Sequence, residues 1–563
     1  MQDNSKIERL MLLLPHRDRI RFKAVKATLK GLDPNKSANG LGPRFLKECA
    51  DVLAPHLTNL FKFIVKKAEF PSSWKLGRIT AVHKRDEVSV AKNYRPVQCL
   101  DNIELAFEDV LMPQLEKWLA KFIPEWQYGF LKKIGTLDYG AALSLTIQDC
   151  LERRKEGVLV LSDIKGAFDR CWWLRLKKRL KAKGMRKRAL RLMRSYLFKR
   201  FLRVVASGKS SSIKEIFSSV PQGGKFSPPL WDFDISEMAD LLGDVVQFFG
   251  YADDVALWYE VDTSNRQEMT KIINDDMSAL KVWGDDNRTT FELDKTFCMV
   301  FSQKKKPFDV SGLVFEGFPI KLVKQTKAVG YQLDSRLRWG PMVDSISKKA
   351  KGRLAGLSRV RRFLDSTNMK AIYEMFIRSI MEYGSVAWMG AADSHLHKLD
   401  RVQRRAESIG NFTTDTLAAR REVAALSFAL KLMDGQARGV LKNHIPQLYE
   451  PLLLSKKRTR QVIAGKQVKS RINTKSLDVY RRGFHGALPS IWRKLPQELV
   501  TKGYNRGWLK IKTACKNFLL GKVEKPKTSV KKSKPAHQGV KGIDQVACAT
   551  FLQELSSDLT FMM

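Results

Sequence analysis

Three carboxylates in two places carry the strongest chemical signal in this sequence: Asp163, just past the apolar run Val158-Leu159-Val160-Leu161, and Asp253 with Asp254 far downstream. Phosphoryl transfer to a nucleotide asks for such a set, because two Mg²⁺ ions roughly 4 Å apart can activate an attacking hydroxyl and stabilise a leaving pyrophosphate only where anionic oxygens hold both. Adjacent strand residues point to opposite faces, so Asp253 and Asp254 cannot ligate equally from a regular strand. Asp253 is expected to be the ligand, and Asp254 a supporting carboxylate or a ligand to one metal only. The plainer reading makes both acids ordinary turn residues, since Asp is favoured in hairpin turns. Against it, the pair sits between apolar runs without the Gly or Asn that a two-residue turn prefers.

The elements that must position these acids follow from periodicity. Residues 158–161 read as a buried strand after the charged break 152–156, and runs 245–250 and 255–260 flank Tyr251-Ala252-Asp253-Asp254 as a tight hairpin with the acids at its tip. Upstream, residues 44–66 are apolar at helical spacing until Pro71, and 75–95 become short extended pieces rich in Lys and Arg. Residues 201–207 and 213–218 form a hairpin pattern around Gly208, and Val220-Pro221-Gln222-Gly223-Gly224 is a turn feeding a helix from about Pro229. Residues 177–203 hold 13 Lys and Arg and no acid, on two amphipathic helices split at Gly184. From about Trp339 the chain turns helical, and 348–362 carry seven basic residues over a seam of Ala350, Leu354, Leu357 and Val360. Residues 456–475 hold eight more, and 523–541 is a Lys/Pro/Ser stretch expected to be disordered.

The whole chain has this bias. Its 563 residues include 101 Lys and Arg against 58 Asp and Glu, a formal charge of +43, with an ordinary 44% hydrophobic content. Such a surface repels itself unless an anionic partner neutralises it, and a phosphate backbone is the usual one. No stretch reaches the ~20 apolar residues of a spanning helix, and the run Leu10–Leu14 is too short for a signal-peptide core. Membrane is therefore not an expected partner. Seven scattered cysteines support neither a disulfide framework nor a zinc finger and suggest a reducing intracellular setting.

The segments LSDIKGAFDRCWW (161–173), VPQGGKFSPPLW (220–231), FGYADDVALW (249–258) and LDKTFCMVFS (293–302) resemble, in order and spacing, the palm motifs of reverse transcriptases. Residues 29–61, 70–86 and 93–111 resemble the fingers of jockey-type non-LTR retrotransposons. QYGFLKKIGTLD (127–138), VGYQLDSRLRW (329–339), IRSIMEYGSVAW (377–388) and RRGFHGALPSIWRKLP (481–496) extend the likeness through the thumb and beyond. The resemblance implies an α/β fold with an α+β palm: a right-hand polymerase with fingers, palm and helical thumb, plus a basic helical C-terminal region. The expected division is an N-terminal helical extension (1–70), fingers and palm (71–338), thumb (339–420), basic C-terminal region (421–521) and Lys-rich flexible tail (522–563).

By the same resemblance, Asp163, Asp253 and Asp254 match the metal-binding acids, for two Mg²⁺ ions that Mn²⁺ can replace. Phe168 matches the aromatic gate against a ribose 2′-hydroxyl, and Gln222 and Gly223 match residues beside the incoming nucleotide. Lys84 and Arg95 match the cations that clamp its triphosphate, and Lys295 the lysine near the leaving pyrophosphate. Lys348, Lys349, Lys351 and Arg353 fall on the thumb helix that rides beside primer and template. The implied reaction is RNA-directed DNA synthesis from dNTPs on an RNA template and DNA primer, within an intracellular ribonucleoprotein of nucleus and cytoplasm. No segment resembles the endonuclease, ribonuclease H or zinc knuckle of such elements, so the target nick is expected from a separate endonuclease. Departures from the family's pattern are Lys225 and Phe226 at small or aliphatic sites, Asp232 and Asp234 at Asn or apolar ones, and a fingers loop Lys84-Arg85-Asp86-Glu87 without Gly. They motivate the alternative of a catalytically inactive or truncated nucleic-acid-binding derivative.

Overall fold

The computed structural model describes residues 20–35, 40–84, 87–206, 208–444, 478–496, 499 and 508–521. The basic stretch 456–475, the tail 522–563, Leu10–Leu14, and Arg85 with Asp86 lie outside the described residues. Two compact units form, one from Met1–Gly135, Val158–Cys298 and Phe308–Leu322, the other from Thr136–Gly157, Met299–Pro307 and Val323–Met563. The architecture is mixed α/β.

Strands Leu76–His83 and Tyr94–Cys99 of the first unit pair antiparallel, and the former runs parallel to Arg200–Ala206. That third strand folds back at Gly208, whose φ of +75° suits a glycine, to pair with Lys209–Ser210 and then Lys214–Ile216. Behind the sheet Phe70 meets Trp74, Phe107 and Tyr196 edge to face, with ring centroids 5.2 to 6.0 Å apart. Helices Trp173–Ala182 and Lys187–Leu197 are separated at Gly184 as the pattern predicts. The basic residues of the 177–203 run do not all face water. Arg200 is fully buried and pairs with the equally buried Glu104 at 3.1 Å, while buried Arg179 holds the Asp234 carboxylate at 3.5 Å and Glu237 at 3.1 Å. Asp234, which looked out of place in sequence, is thus the counter-ion of Arg179, and Lys225 similarly meets Asp109 at 3.1 Å. Two cations of the basic run 177–203, Arg179 on the first helix and Arg200 at the start of the following strand, are internal.

A second sheet runs in the order Lys321–Leu322, Phe297–Phe301, Glu156–Lys165, Asp254–Val261, Gln247–Tyr251, with Thr290–Phe291 added to Glu156–Lys165. Glu156–Lys165 is central and its first five residues are all buried, which accounts for its nearly unbroken apolar run. Helix Arg266–Asn287 buries Met269, Ile273, Met277, Leu280 and Trp283 at helical spacing.

The second unit is mainly helical. Helix Gly340–Val360 buries Met342, Val343, Ile346, Ala350, Leu354 and Leu357 and packs on Asp393–Gly410. Asp365 and Thr416 cap the helices that follow them, accepting from Asn368 N at 2.7 Å and Ala419 N at 3.2 Å. Tyr331 is buried between Gly140 and Gly384, where an added Cβ would stand 2.2 and 2.3 Å from the ring or its hydroxyl. Among the described residues no helix is long and apolar enough to cross a membrane, and the six described cysteines are free thiols.

The Arg200 cluster makes stability depend on pH. Glu108 is buried beside Glu104 and accepts a hydrogen bond from Phe226 N at 2.8 Å. Burial, then the Glu104 charge, push its pKa from 4.5 up to about 8. The folded chain keeps a proton that the unfolded chain releases, so this group's contribution to stability falls as pH rises from about 4.5 to about 8 and is level above that. Glu108→Gln keeps an acceptor for Phe226 and is expected to remove this slope, at most about 1.4 kcal/mol per pH unit, in urea melts followed by circular dichroism across that window.

Candidate active site

Strands Gln247–Tyr251 and Asp254–Val261 pair with Tyr251 opposite Asp254, which leaves Ala252 and Asp253 as a two-residue turn. The acids do therefore stand at a tight hairpin turn, although the sequence lacks the Gly or Asn that such a turn prefers. The burden falls on Ala252, whose φ is +60°, a conformation usually left to glycine. Neighbours from outside the hairpin hold it there. Gln127, fully buried, accepts from Ala252 N at 3.1 Å and from Gly129 N at 2.7 Å, and its Nε2 donates to Ala252 O at 3.4 Å. Trp231 Nε1 donates to the same carbonyl at 3.2 Å. Tyr128 N donates to Gly250 O at 2.8 Å, and Gly250 N to Trp126 O at 2.9 Å, laying this segment along the incoming strand. The approach is so close that a Cβ on Gly129 would stand 2.4 Å from Ala252 N.

The turn sets Asp253 beside Asp163. Ile164 N donates to Asp253 O at 3.3 Å, and Glu292 N to Asp163 O at 2.9 Å, so backbone ties link the segments bearing the two acids and Lys295. Burial, then the Asp163 charge, hold the Asp253 carboxyl above the ordinary carboxylate range, and Lys295 and Arg95 partly offset this. Lys295 Nζ donates to Asp163 Oδ2 at 2.6 Å. Burial pulls the Lys295 ammonium down, but this hydrogen bond and the Asp163 charge outweigh it and leave it raised. Asp254 begins the outgoing strand and is exposed. The donor chemistry fits a divalent cation: the hard carboxylate oxygens of Asp163 and Asp253 stand on adjoining segments, the Asp163 charge makes Asp253 harder to ionise, and Lys295 supplies a compensating charge.

Around this centre, Phe168 lies 5.9 Å from the Trp231 ring at 23° and edge-on to Phe130 at 5.7 Å, and its carbonyl accepts from Val220 N at 2.9 Å. Gln222 Nε2 donates to Asp169 Oδ1 at 2.9 Å. Burial raises the Asp169 pKa, opposed by that bond and by the Lys84 charge. Gln222 O accepts from Gln98 N at 2.8 Å. Gly223 has φ +134° and would put a Cβ 2.5 Å from Gln98 O, so its lack of a side chain is already required inside the protein. Exposed Lys84 and Arg95 stand at the end of the Leu76–His83 and Tyr94–Cys99 pair where the loop connects the two strands, Arg95 opposite Val82. Lys348, Lys349, Lys351 and Arg353 belong to the other compact unit, the first three exposed and Arg353 half-buried.

Asp163, Asp253, Lys295 and Arg95 thus act on one another electrostatically, and Asp169 is bonded by Gln222 and feels the Lys84 charge. The roles of Gln127, Gly129, Trp231 and Asp169 escape a reading of the sequence, because each acts through a partner remote in the chain or through its backbone. Gly129→Ala is expected to push the Ala252 turn aside and destabilise the chain by about 1–3 kcal/mol, measured by denaturant unfolding, while Ala252→Gly, which relieves the left-handed φ, leaves stability unchanged or improved.

Residues 82–332 match the family model described as reverse transcriptase (RNA-dependent DNA polymerase). The RNA-directed DNA polymerase from mobile element jockey of Drosophila melanogaster is 26% identical over 66% of this chain and 42% of its own length. The probable RNA-directed DNA polymerases from transposon BS and transposon X-element of the same fly are 24% and 25% identical, each over 62% of this chain and over 40% and 39% of their own lengths. The chain spans about two fifths of the length of these curated relatives. Among solved structures, an apo telomerase from Candida tropicalis truncated from its C-terminal domain aligns at TM-score 0.34 and 14% identity, covering 51% of this chain and 59% of that one. The acids, the turn that carries them and Lys295 all fall within the matched segment. Residues 82–332 thus match the reverse transcriptase family, and the chain is similar over about two thirds of its length to the RNA-directed DNA polymerase from mobile element jockey.

Proposed function

We propose that this chain is an RNA-directed DNA polymerase that extends a primer 3′-hydroxyl with dNTPs on an RNA template, as part of retrotransposition. One observation carries the reading: within the segment that matches the reverse transcriptase family, Ile164 N donates to Asp253 O, which sets Asp253 beside Asp163, and Lys295 is bonded to Asp163. In this reading the unit bearing those acids supplies palm and fingers, and the helices from Gly340 onward the thumb.

Asp163 and Asp253, with exposed Asp254 at their edge, would hold two Mg²⁺ ions, or Mn²⁺ in their place. When bound, the cations supply Lewis-acid activation of the primer hydroxyl and neutralise charge at the α-phosphate. Lys295 leaves its bond to Asp163 to face the leaving pyrophosphate, where a proton on its ammonium is useful. Lys84 and Arg95 receive the triphosphate, Lys84 as a point charge and Arg95 as a planar fork. Phe168, supported by Trp231 and Phe130, stands against a ribose 2′-hydroxyl, and Gln222, fixed by Asp169, borders the base. Lys348, Lys349, Lys351 and Arg353 track the phosphates of primer and template. A separate endonuclease supplies the nick, and the protein acts in an intracellular ribonucleoprotein of cytoplasm and nucleus.

Primer extension by the purified chain on an RNA template, beside Asp253→Asn, tests the reading. The variant is expected to bind template equally and to extend roughly a thousandfold more slowly, the scale on which removing one charge-stabilising group acts. Salt-sensitive binding without extension by either protein would instead leave a polymerase-shaped nucleic-acid binder. Because the raised Asp253 pKa makes protons compete with cations, extension at limiting Mg²⁺ is expected to fall as pH is lowered, and added Mg²⁺ to restore it. Phe168→Ala is expected to admit ribonucleotides, read as a loss of dNTP over rNTP preference in single-nucleotide addition.

A further inference from the structure

The second unit holds a cluster of side chains that polymerase chemistry does not use. Asp149 lies on helix Thr136–Glu152, His444 at the end of the helical turn 441–444, and His485 on helix Phe484–Arg493. One carboxylate oxygen and one ring nitrogen from each histidine all lie within 4.8 Å of one another. His444 Nδ1 is 3.2 Å from His485 Nε2 and 3.6 Å from Asp149 Oδ2. The two imidazoles are 6% and 7% exposed and the carboxylate 25%, so the group is enclosed but reachable on the acid's side.

Hydrogen bonding alone serves this arrangement poorly. His444 Nδ1 faces both His485 Nε2 and Asp149 Oδ2, and one ring nitrogen carries a single hydrogen or a single lone pair, so a hydrogen bond serves one of these two contacts well and not both. A cation at the point of convergence uses a lone pair from all three atoms at once. The spacing suits that role: ligand atoms 2.0–2.1 Å from a tetrahedral Zn²⁺ stand about 3.3 Å apart, against 3.2 and 3.6 Å for the two measured edges. Two imidazoles and one carboxylate select a first-row transition cation over Mg²⁺ or Ca²⁺, which take all-oxygen sites. A cation here would also cross-link three segments that the chain brings from positions 149, 444 and 485.

We propose that Asp149, His444 and His485 bind a single Zn²⁺ ion that clips the C-terminal helices to helix Thr136–Glu152, with the fourth position taken by water. The site is separate in donor chemistry from the Asp163 and Asp253 cluster and does not depend on polymerase activity. The test uses the full chain, stripped with chelator, freed of it, and titrated with Co²⁺ in excess Mg²⁺. One equivalent of Co²⁺ with the intense visible bands of a four-coordinate site is expected, displaced by Zn²⁺, and Zn²⁺ is expected to raise the thermal unfolding midpoint. Co²⁺ affinity should fall by more than about a hundredfold in His444→Gln and His485→Ala and be unchanged in Asp253→Asn. Circular dichroism checks the fold of each variant. Where a histidine variant misfolds, Asp149→Asn carries the test, because it keeps the size of the side chain: weakened Co²⁺ binding and a smaller Zn²⁺-induced midpoint shift support the site, and unchanged values overturn it. Absence of stoichiometric Co²⁺ binding by the parent, or binding with the same spectrum in folded histidine variants, also overturns it.

Discussion

The site depends on one hairpin turn held in a conformation its own residues disfavour. Ala252 at φ +60° costs on the order of 1 kcal/mol, and the turn persists because Gln127 and Trp231 bind both its polar backbone atoms. Those hydrogen bonds, worth roughly 1 kcal/mol each, are enough to offset the strain. They also fix where Asp253 stands, since the carboxylate hangs on the very residue that follows. The same Trp231 ring lies against Phe168, so the acid and the aromatic gate share one support.

Electrostatics divide the chain's many cations into distinct tasks. Arg200 and Arg179 are spent inside the protein, each on a buried carboxylate whose solitary presence there would be costly. Lys295 and Arg95 act at the acid pair, where both cations lower the cost of ionising Asp253 beside Asp163. Lys348, Lys349 and Lys351 stay in water. The large net charge therefore overstates the surface free for phosphate, and the distribution of partners, not the total, carries the functional meaning.

Much of this architecture is legible in the sequence where the cause is local. The apolar run before Asp163 reads as a central strand because a strand covered on both faces needs no alternation, and Gly184 and Gly208 mark breaks because they adopt positive φ. The acids' hairpin is also visible, but its turn type is not, since the residues that stabilise Ala252 are remote in the chain. Burial of Arg200 is invisible for the same reason: nothing in the basic run separates it from neighbours that face solvent, and its partner Glu104 sits on a helix remote in the chain. Asp149, His444 and His485 have no motif spacing, so only folding reveals that they meet. Local chemistry can be read ahead of the fold, whereas the contacts that position it cannot.

The most direct measurement of the central claim is electron paramagnetic resonance of Mn²⁺ bound to the full chain with an RNA template, a dideoxy-terminated primer and the next dNTP. Asp163 and Asp253 acting as one ligand set predict two Mn²⁺ ions close enough to couple magnetically, with the coupling lost in Asp253→Asn. A coupled pair that survives Asp253→Asn, or a parent complex with no coupled pair, would contradict the claim.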